Sequence, residues 1–415
     1  MNKTELQYYF PENLIAKEPQ RPSRICSALE DVASSLQASF STLDETKKSS
    51  SSDEANFFPP SDLLLQPSQS SISSPLISAQ SLQRVSVQDT NQNESNQEET
   101  KREETSCREV NWTEFLSFFQ EGDVLVLNDT KVLKRRVFTS EGLEVLFLGS
   151  EDRVHWNVLF PSRRYALGSE ILLPGEVRMT LLEKGRPQKV KTNFALAETY
   201  FETYGELPLP PYIQKAREQR HTHDSDESWY QTQWSERPGS FAAPTASLHF
   251  TQAHLEQLKA RSVRICFLTL HVGLGTFLPV EVEDLKQHVM HHESVEIPSS
   301  VLSEIEQAQS NSRQVWAMGT TVMRALESYG QGLLAFDSQK SAFVGNTDLL
   351  ILPGFQFKMV DRLLTNFHQP ESTLLALVMA FAGIEKVKLT YQWAIKNKFR
   401  LFSYGDLSVW QRRHH

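Results

Sequence analysis

The chain has 415 residues, a formal charge of −9, 39 % hydrophobic and 10 % aromatic side chains, which is room for about two or three domains and a sizeable core. Its three cysteines (Cys26, Cys107, Cys266) form no CxxC pair, which excludes a disulfide scaffold and a cysteine zinc site and suits a reducing cytoplasm. The negative charge does not exclude a nucleic-acid partner, because residues 28–108 carry 13 acidic and 6 basic side chains and the rest is close to neutral.

Tyr8, Tyr9, Phe10 and Pro11 close the opening segment with no apolar stretch behind them, so a secretory signal is not expected. Residues 28–108 form an anomalous block, with serines at 49–52 and Gln, Asn and Glu crowded between Asp89 and Glu99. So little apolar surface cannot offset ordering entropy, and a disordered or loosely ordered insertion is expected.

Beyond it come four short apolar runs that end in polar or turn-forming residues. They are Asp123-Val-Leu-Val-Leu-Asn128-Asp129, Ile265-Cys-Phe-Leu-Thr-Leu-His271-Val-Gly273, Val315-Trp-Ala-Met-Gly319 and Asp348-Leu-Leu-Ile-Leu-Pro353-Gly354. Such runs suit strands buried on both faces, and the helical patterns between them make an α/β signature. From 137 to 204 the pattern breaks into short alternating pieces at 143–148, 154–160, 170–173 and 177–182. These suggest a small antiparallel β domain inserted into the α/β one. The longest apolar run, 374–382, falls far short of the ~20 residues that span a bilayer. A soluble cytoplasmic enzyme without a membrane partner is expected.

In open α/β sheets ligands sit beyond the carboxyl ends of strands. Asn128, Asp129, His271, Gly273, Gly319 and Thr320 close the runs and lie where a site belongs. Gly319-Thr320-Thr321 leads from a strand into a helical pattern, which aims N–H groups and hydroxyls at an anion or simply caps the helix. Asn366 and His368 precede the apolar run that stops at Gly383, with Pro370 and Glu371 in its expected first turn. A lone loop histidine is either structural or part of an anion site. His288 and His292 stand four apart, as on one face of a helix, but without the adjacent Glu of a zincin; hydrogen bonding or substrate contact competes with a metal there. The glycines of Leu270-His271-Val272-Gly273-Leu274-Gly275-Thr276-Phe277 match no dinucleotide fingerprint, and they admit a flat ligand or make a turn. No Gly-x-Ser-x-Gly elbow or phosphate-binding P-loop occurs.

Taken in order, the motifs form one pattern. It runs Gly122 to Val132, Glu206-Leu-Pro-Leu-Pro-Pro-Tyr212-Ile213, Tyr230-Gln-Thr232, Ala242-Ala-Pro244-Thr245-Ala246 with Leu248-His249-Phe250, and Leu270-His271-Val-Gly-x-Gly-Thr276-Phe277. It continues through His288-x-x-His291-x-Glu293, Gly319-Thr-Thr321 with Arg324, Pro353 to Asp361, Thr365-Asn-Phe-His368 and Phe402-Ser-Tyr404-Gly405-Asp406. Outside residues 28–108 the chain resembles the S-adenosylmethionine:tRNA ribosyltransferase-isomerases of queuosine synthesis, the QueA family.

The resemblance implies transfer and isomerisation of the ribosyl part of S-adenosylmethionine onto 7-aminomethyl-7-deazaguanine at the tRNA wobble position. Epoxyqueuosine-tRNA, adenine and methionine result. S-Adenosylmethionine is then a co-substrate, no bound cofactor or metal is needed, and the partner is a tRNA carrying the aminomethyl-deazaguanine base in its anticodon; a monomer is expected. The implied fold is α/β, a main domain on a mixed β-barrel with surrounding helices plus a small inserted all-β domain. Residues 1–27, 109–136 and 205–415 would form the main domain, 28–108 the low-complexity insertion and 137–204 the β domain. A sulfonium acidifies its neighbouring C5′ hydrogen, so a positioned base has work to do. His271, His368, Asp129, Glu293 and Asp361 are the catalytic candidates. Asn128, Gly273, Thr276, Phe277, Gly319, Thr320, Arg324, Asn366 and Tyr404 are the candidates for holding S-adenosylmethionine, the aromatic faces taking the sulfonium or stacking bases. Arg136, Arg163 and Arg164 are expected on tRNA phosphates.

The chain departs from the family pattern after Pro19, with one extra residue, Ala28 after Ser27 where the family has its second arginine, and the insertion where a strand should follow. Ser247 replaces Gly, Gln369 replaces Leu, and Lys131 and Lys134 replace Arg and Pro. Two other readings stay open: a non-catalytic RNA-binding protein with this fold, and a metal-dependent hydrolase using His288, His291 and His292.

Overall fold

The computed structural model describes residues 1–29, 107–273, 275 and 280–413; the expected insertion lies almost wholly outside these residues, as do Thr276 and Phe277. Nineteen strands follow one another in the described chain. They are β1 (Ile25–Ser27), β2 (Arg108–Val110), β3 (Val124–Asn128), β4 (Thr130–Val132), β5 (Arg136–Phe138), β6 (Glu144–Gly149), β7 (His155–Leu159), β8 (Glu170–Leu173) and β9 (Val177–Glu183). There follow β10 (Gln188–Thr192), β11 (Gly205–Glu206), β12 (Arg237–Ser240), β13 (Arg264–Leu270), β14 (Glu293–Pro298), β15 (Val315–Met318), β16 (Ala335–Asp337), β17 (Ala342–Thr347), β18 (Arg362–Asn366) and β19 (Leu407–Gln411).

Ten of them make one mixed sheet in the order β16-β17-β14-β13-β3-β15-β18-β19-β1-β2. Its centre, β13-β3-β15-β18, is parallel, so four carboxyl ends open at one edge. These strands are continuous apolar runs because they are covered on both sides. Val124, Val126, Leu268, Leu270, Val315 and Ala317 face one core; Leu125, Leu127, Trp316, Met318 and Leu364 face the other. Each such fully buried Val or Leu is worth about 1.5–3 kcal/mol. The sheet ends at β2 and β16, which share no ladder among the described residues.

The fourth apolar run is not a strand. Residues 348–352 join no ladder among the described residues; Ile351 is buried, with Leu349 and Leu352 packed beside it on the same core. The fourth parallel strand is the more polar Arg-Leu-Leu-Thr-Asn of β18. The altered N-terminal stretch does form a strand: β1 pairs with β19 on one side. On the other side β2, which follows the insertion, supplies an antiparallel neighbour. The open alternative of a non-catalytic RNA-binding protein drew on a degraded strand here, and that strand is present.

A second sheet, β11-β5-β6-β7-β10-β9-β8, has seven strands. It carries its own apolar cluster around Phe147, Trp156, Val158, Met179 and Phe201. β10, Gln-Lys-Val-Lys-Thr, was invisible as an apolar piece because only alternate residues are buried.

Candidate active site

The cavity forms where the parallel strands end. β15 stops at Gly319, whose φ of +93° is a conformation that side chains other than glycine resist. Its N–H reaches back to the Leu364 carbonyl at 2.7 Å, and the turn releases a helix, Thr320–Gly330. One turn into that helix Arg324 is buried, 5 % exposed. Its Nη1 pairs with Glu293, also 6 % exposed, and its Nε donates to the Leu349 carbonyl at 3.2 Å. Arg324 Nη2 and Thr321 Oγ1 have no hydrogen-bond partner among the described residues. The other Glu293 oxygen accepts the Gly273 N–H at 3.0 Å. Both Glu293 oxygens therefore have partners, Arg324 on one and the Gly273 N–H on the other.

β18 brings the second group. Asn366 accepts the Thr245 hydroxyl at 2.9 Å and its amide donates to His249 Nε2 at 2.9 Å. Burial drives the pKa of His249 down to about 3, with Arg400 and Arg21 adding to the shift, so the ring is neutral. Three residues after Thr365, the His368 ring returns to it, Nε2 2.9 Å from Thr365 Oγ1. The His368 main chain donates to the Tyr391 hydroxyl at 2.8 Å and accepts from Tyr8. Burial lowers the pKa of His368 to about 3 as well. A neutral imidazole there hydrogen-bonds, and is a poor proton acceptor near neutrality.

Between these groups lies a cavity of about 360 Å³. Thr320, Thr321, Arg324 and Glu293 line one side, Thr245, Thr365, Asn366 and His368 another. Tyr212, Tyr230 and Phe402 give it an aromatic wall, and His288, Met290 and His291 add a loop. Lys3, ion-paired with Glu371 at 3.0 Å, comes in from the N-terminal segment. The volume is in the range of small-molecule sites.

Several expected site residues are elsewhere. His271 leaves β13 on the side opposite its neighbours Leu270 and Val272, as strand alternation demands. It bonds Thr130 Oγ1 through Nδ1 at 2.7 Å, and burial lowers its pKa. Asp129 is beside it, accepting the Thr269 hydroxyl at 2.6 Å with its pKa raised by burial. Neither lines the cavity, although Val272 does. Asn128 is fully buried and splices β3 to β13 through both Leu270 main-chain groups. Asp361 precedes β18, at the amino edge of the sheet, where it accepts the Val315 N–H at 3.0 Å and pairs with Arg412 at 2.9 Å. A strand of that length holds it roughly 15 Å from the carboxyl edge. Tyr404 is buried with its hydroxyl on Asp226 at 3.1 Å, below the cavity wall rather than in it. Arg136 is 1 % exposed and paired with Glu206 at 2.9 Å, so it cannot meet a phosphate. Arg163 and Arg164 are exposed on the turn Ser162–Arg164. His288 to His292 is not helical: it connects the turn Leu285–Gln287 to β14, and His292 turns to Asp348 at 3.7 Å while His288 and His291 line the cavity.

The residues missed are Lys3, Thr245, His249, Tyr212, Tyr230, Thr365 and Phe402. Most stand inside quoted motifs, where the polar member went unassigned; Lys3 carries no local signal at all.

Residues 90–409 match the family model described as queuosine biosynthesis protein. S-Adenosylmethionine:tRNA ribosyltransferase-isomerase of Sulfurihydrogenibium sp. (strain YO3AOP1) is 40 % identical over 300 residues, 71 % of this chain and 85 % of that protein. The proteins of the same name from Azoarcus sp. (strain BH72) and Halothermothrix orenii are 43 % and 41 % identical, each over 72 % of this chain and 86 % and 87 % of theirs. A solved structure of S-adenosylmethionine tRNA ribosyltransferase from Thermotoga maritima covers 98 % of this chain and 99 % of its own at 22 % identity, with a TM-score of 0.45. By the extent of the family match and the identity to these relatives, the chain belongs to the queuosine biosynthesis protein family.

Proposed function

We propose that this protein transfers and isomerises the ribosyl moiety of S-adenosylmethionine onto 7-aminomethyl-7-deazaguanine at the wobble position of tRNA, releasing adenine and methionine. The names of its relatives support the reaction. The observation that carries the site is the cavity itself: a helix N-terminus and a buried arginine on one side, neutral polar groups on another, aromatic rings between.

In this reading the methionine carboxylate meets the first turn of Thr320–Gly330 and the free Nη2 of Arg324, where an anion is favoured. Tyr212, Tyr230 and Phe402 offer ring faces to the sulfonium. Asn366 and neutral His368 hydrogen-bond the adenosine. Keeping both histidines uncharged also avoids repulsion with the sulfonium. Arg163 and Arg164 contact tRNA phosphates from the second sheet.

The finer domain reading belongs to the same proposal: a main domain with a mixed barrel, and residues 137–204 as an inserted β domain. The separate cluster around Phe147 supports the inserted domain; the barrel rests on the family resemblance. We further propose a cytoplasmic monomer without a bound cofactor. No helix among the described residues is long and apolar enough to cross a membrane.

Incubating the full chain with S-adenosylmethionine and tRNA bearing the aminomethyl-deazaguanine base tests the reading. Adenine release with epoxyqueuosine in the digested tRNA is expected. Intact tRNA nucleosides and no adenine would overturn it.

A further inference from the structure

His368 is held at three points by hydroxyls from three different elements. Thr365 on β18 faces Nε2 at 2.9 Å, Tyr391 on the helix Ile384–Lys396 takes the main-chain N–H at 2.8 Å, and Tyr8 in the N-terminal segment donates to the carbonyl. Thr365 is itself fixed, 2 % exposed, with its carbonyl accepting the Ser408 hydroxyl at 2.7 Å inside the β18–β19 ladder. Valine would fill the same volume without the hydroxyl, so the hydroxyl's use is the bond to His368. His368 lines the cavity, and its Nδ1 has no hydrogen bond among the described residues.

We propose that Thr365 is a positioning residue of the reaction, holding the His368 ring in one orientation so that Nδ1 meets the nucleoside in the cavity. This rests on the ribosyl-transfer reading. A ring anchored at Nε2 has its other nitrogen aimed in one direction. Tyr8 and Tyr391 hold the main chain from which the ring hangs, so ring rotation and loop shift are both restrained. The restraint turns a loop histidine into a preset hydrogen-bonding group, and no proton need be stored on it. Presetting of this kind acts on turnover more than on ground-state affinity.

Two measurements on the full chain test it. In histidine-labelled protein, the Nε2 resonance of His368 should shift in Thr365→Val, reporting loss of the hydroxyl bond, and return toward its native position in Thr365→Ser. In the adenine-release assay, Thr365→Val should lower kcat about 10- to 100-fold with KM for S-adenosylmethionine within about threefold. Thr365→Ser should recover most of it, and Tyr8→Phe should show a smaller loss of the same kind. His368→Gln added to Thr365→Val should cost less than about threefold more, because both act through one group. An Nε2 resonance unchanged in Thr365→Val, or additive losses, would overturn the inference. Absence of adenine release from the native chain would instead overturn the ribosyl-transfer reading, while the spectrum would still decide the role of Thr365.

Discussion

Arg324 and Glu293 form an ion pair inside the cavity wall, both under 10 % exposed, linking the helix after β15 to the start of β14. Removing one member leaves the other charged and unpaired in a low-dielectric place. Arg324→Met and Glu293→Gln should each cost about 3–5 kcal/mol, and the double variant less than their sum. Urea unfolding of the three variants measures this. A cost near zero for both singles would show that the pair is not buried as described.

Acid should destabilise the protein before carboxylates titrate. His249 and His368 are neutral in the fold with pKa about 3, and both rise to an ordinary value on unfolding. The unfolded chain therefore binds more protons between about pH 6.5 and 3, and stability falls as pH drops through that window by up to about 1.4 kcal/mol per unit for each histidine. Denaturation midpoints at pH 7.5, 6 and 5 follow the trend, and His249→Gln should flatten it.

Arg136 and the pair Arg163 and Arg164 should separate stability from RNA binding. Arg136→Ala removes a buried ion pair but leaves Glu206 with His221 and Thr222, and should cost about 1–3 kcal/mol, read in a thermal melt. Arg163→Ala and Arg164→Ala should stay within about 0.5 kcal/mol of native stability. They should weaken tRNA binding and reduce its dependence on salt by about one unit per lost contact.

His271 should be dispensable for nucleoside binding. It is turned away from the cavity toward Thr130, and a Cβ built on Gly239 would lie 2.7 Å from its ring. His271→Ala should leave the affinity for S-adenosylmethionine within about twofold, whereas Arg324→Met should weaken it about tenfold or more through loss of a charge-assisted contact. Calorimetric titration compares them.

The parallel strands were legible because burial on both faces leaves nothing but apolar residues, as in Val124 to Leu127. β18 was not, since its Arg362, Thr365 and Asn366 are needed at its ends and only Leu363 and Leu364 are apolar. The apolar 348–352 stretch drew the strand assignment instead, because hydropathy cannot tell a packed connector from a ladder. Thr320, Arg324, Asn366 and His368 could be read from their places after strands. His271 could not be sided: which way a residue turns at the end of a strand depends on register, and one step moves it across the sheet. Lys3 and Tyr8 reach the site only through long-range packing.

The central claim is that the cavity between Gly319 and His368 receives S-adenosylmethionine. Thr321→Trp places a large ring inside it while leaving the described core untouched. With folding verified by its melt, this variant should lose detectable binding of radiolabelled S-adenosylmethionine in equilibrium dialysis, against clear binding by the native chain. Undiminished binding by the folded variant would contradict the account.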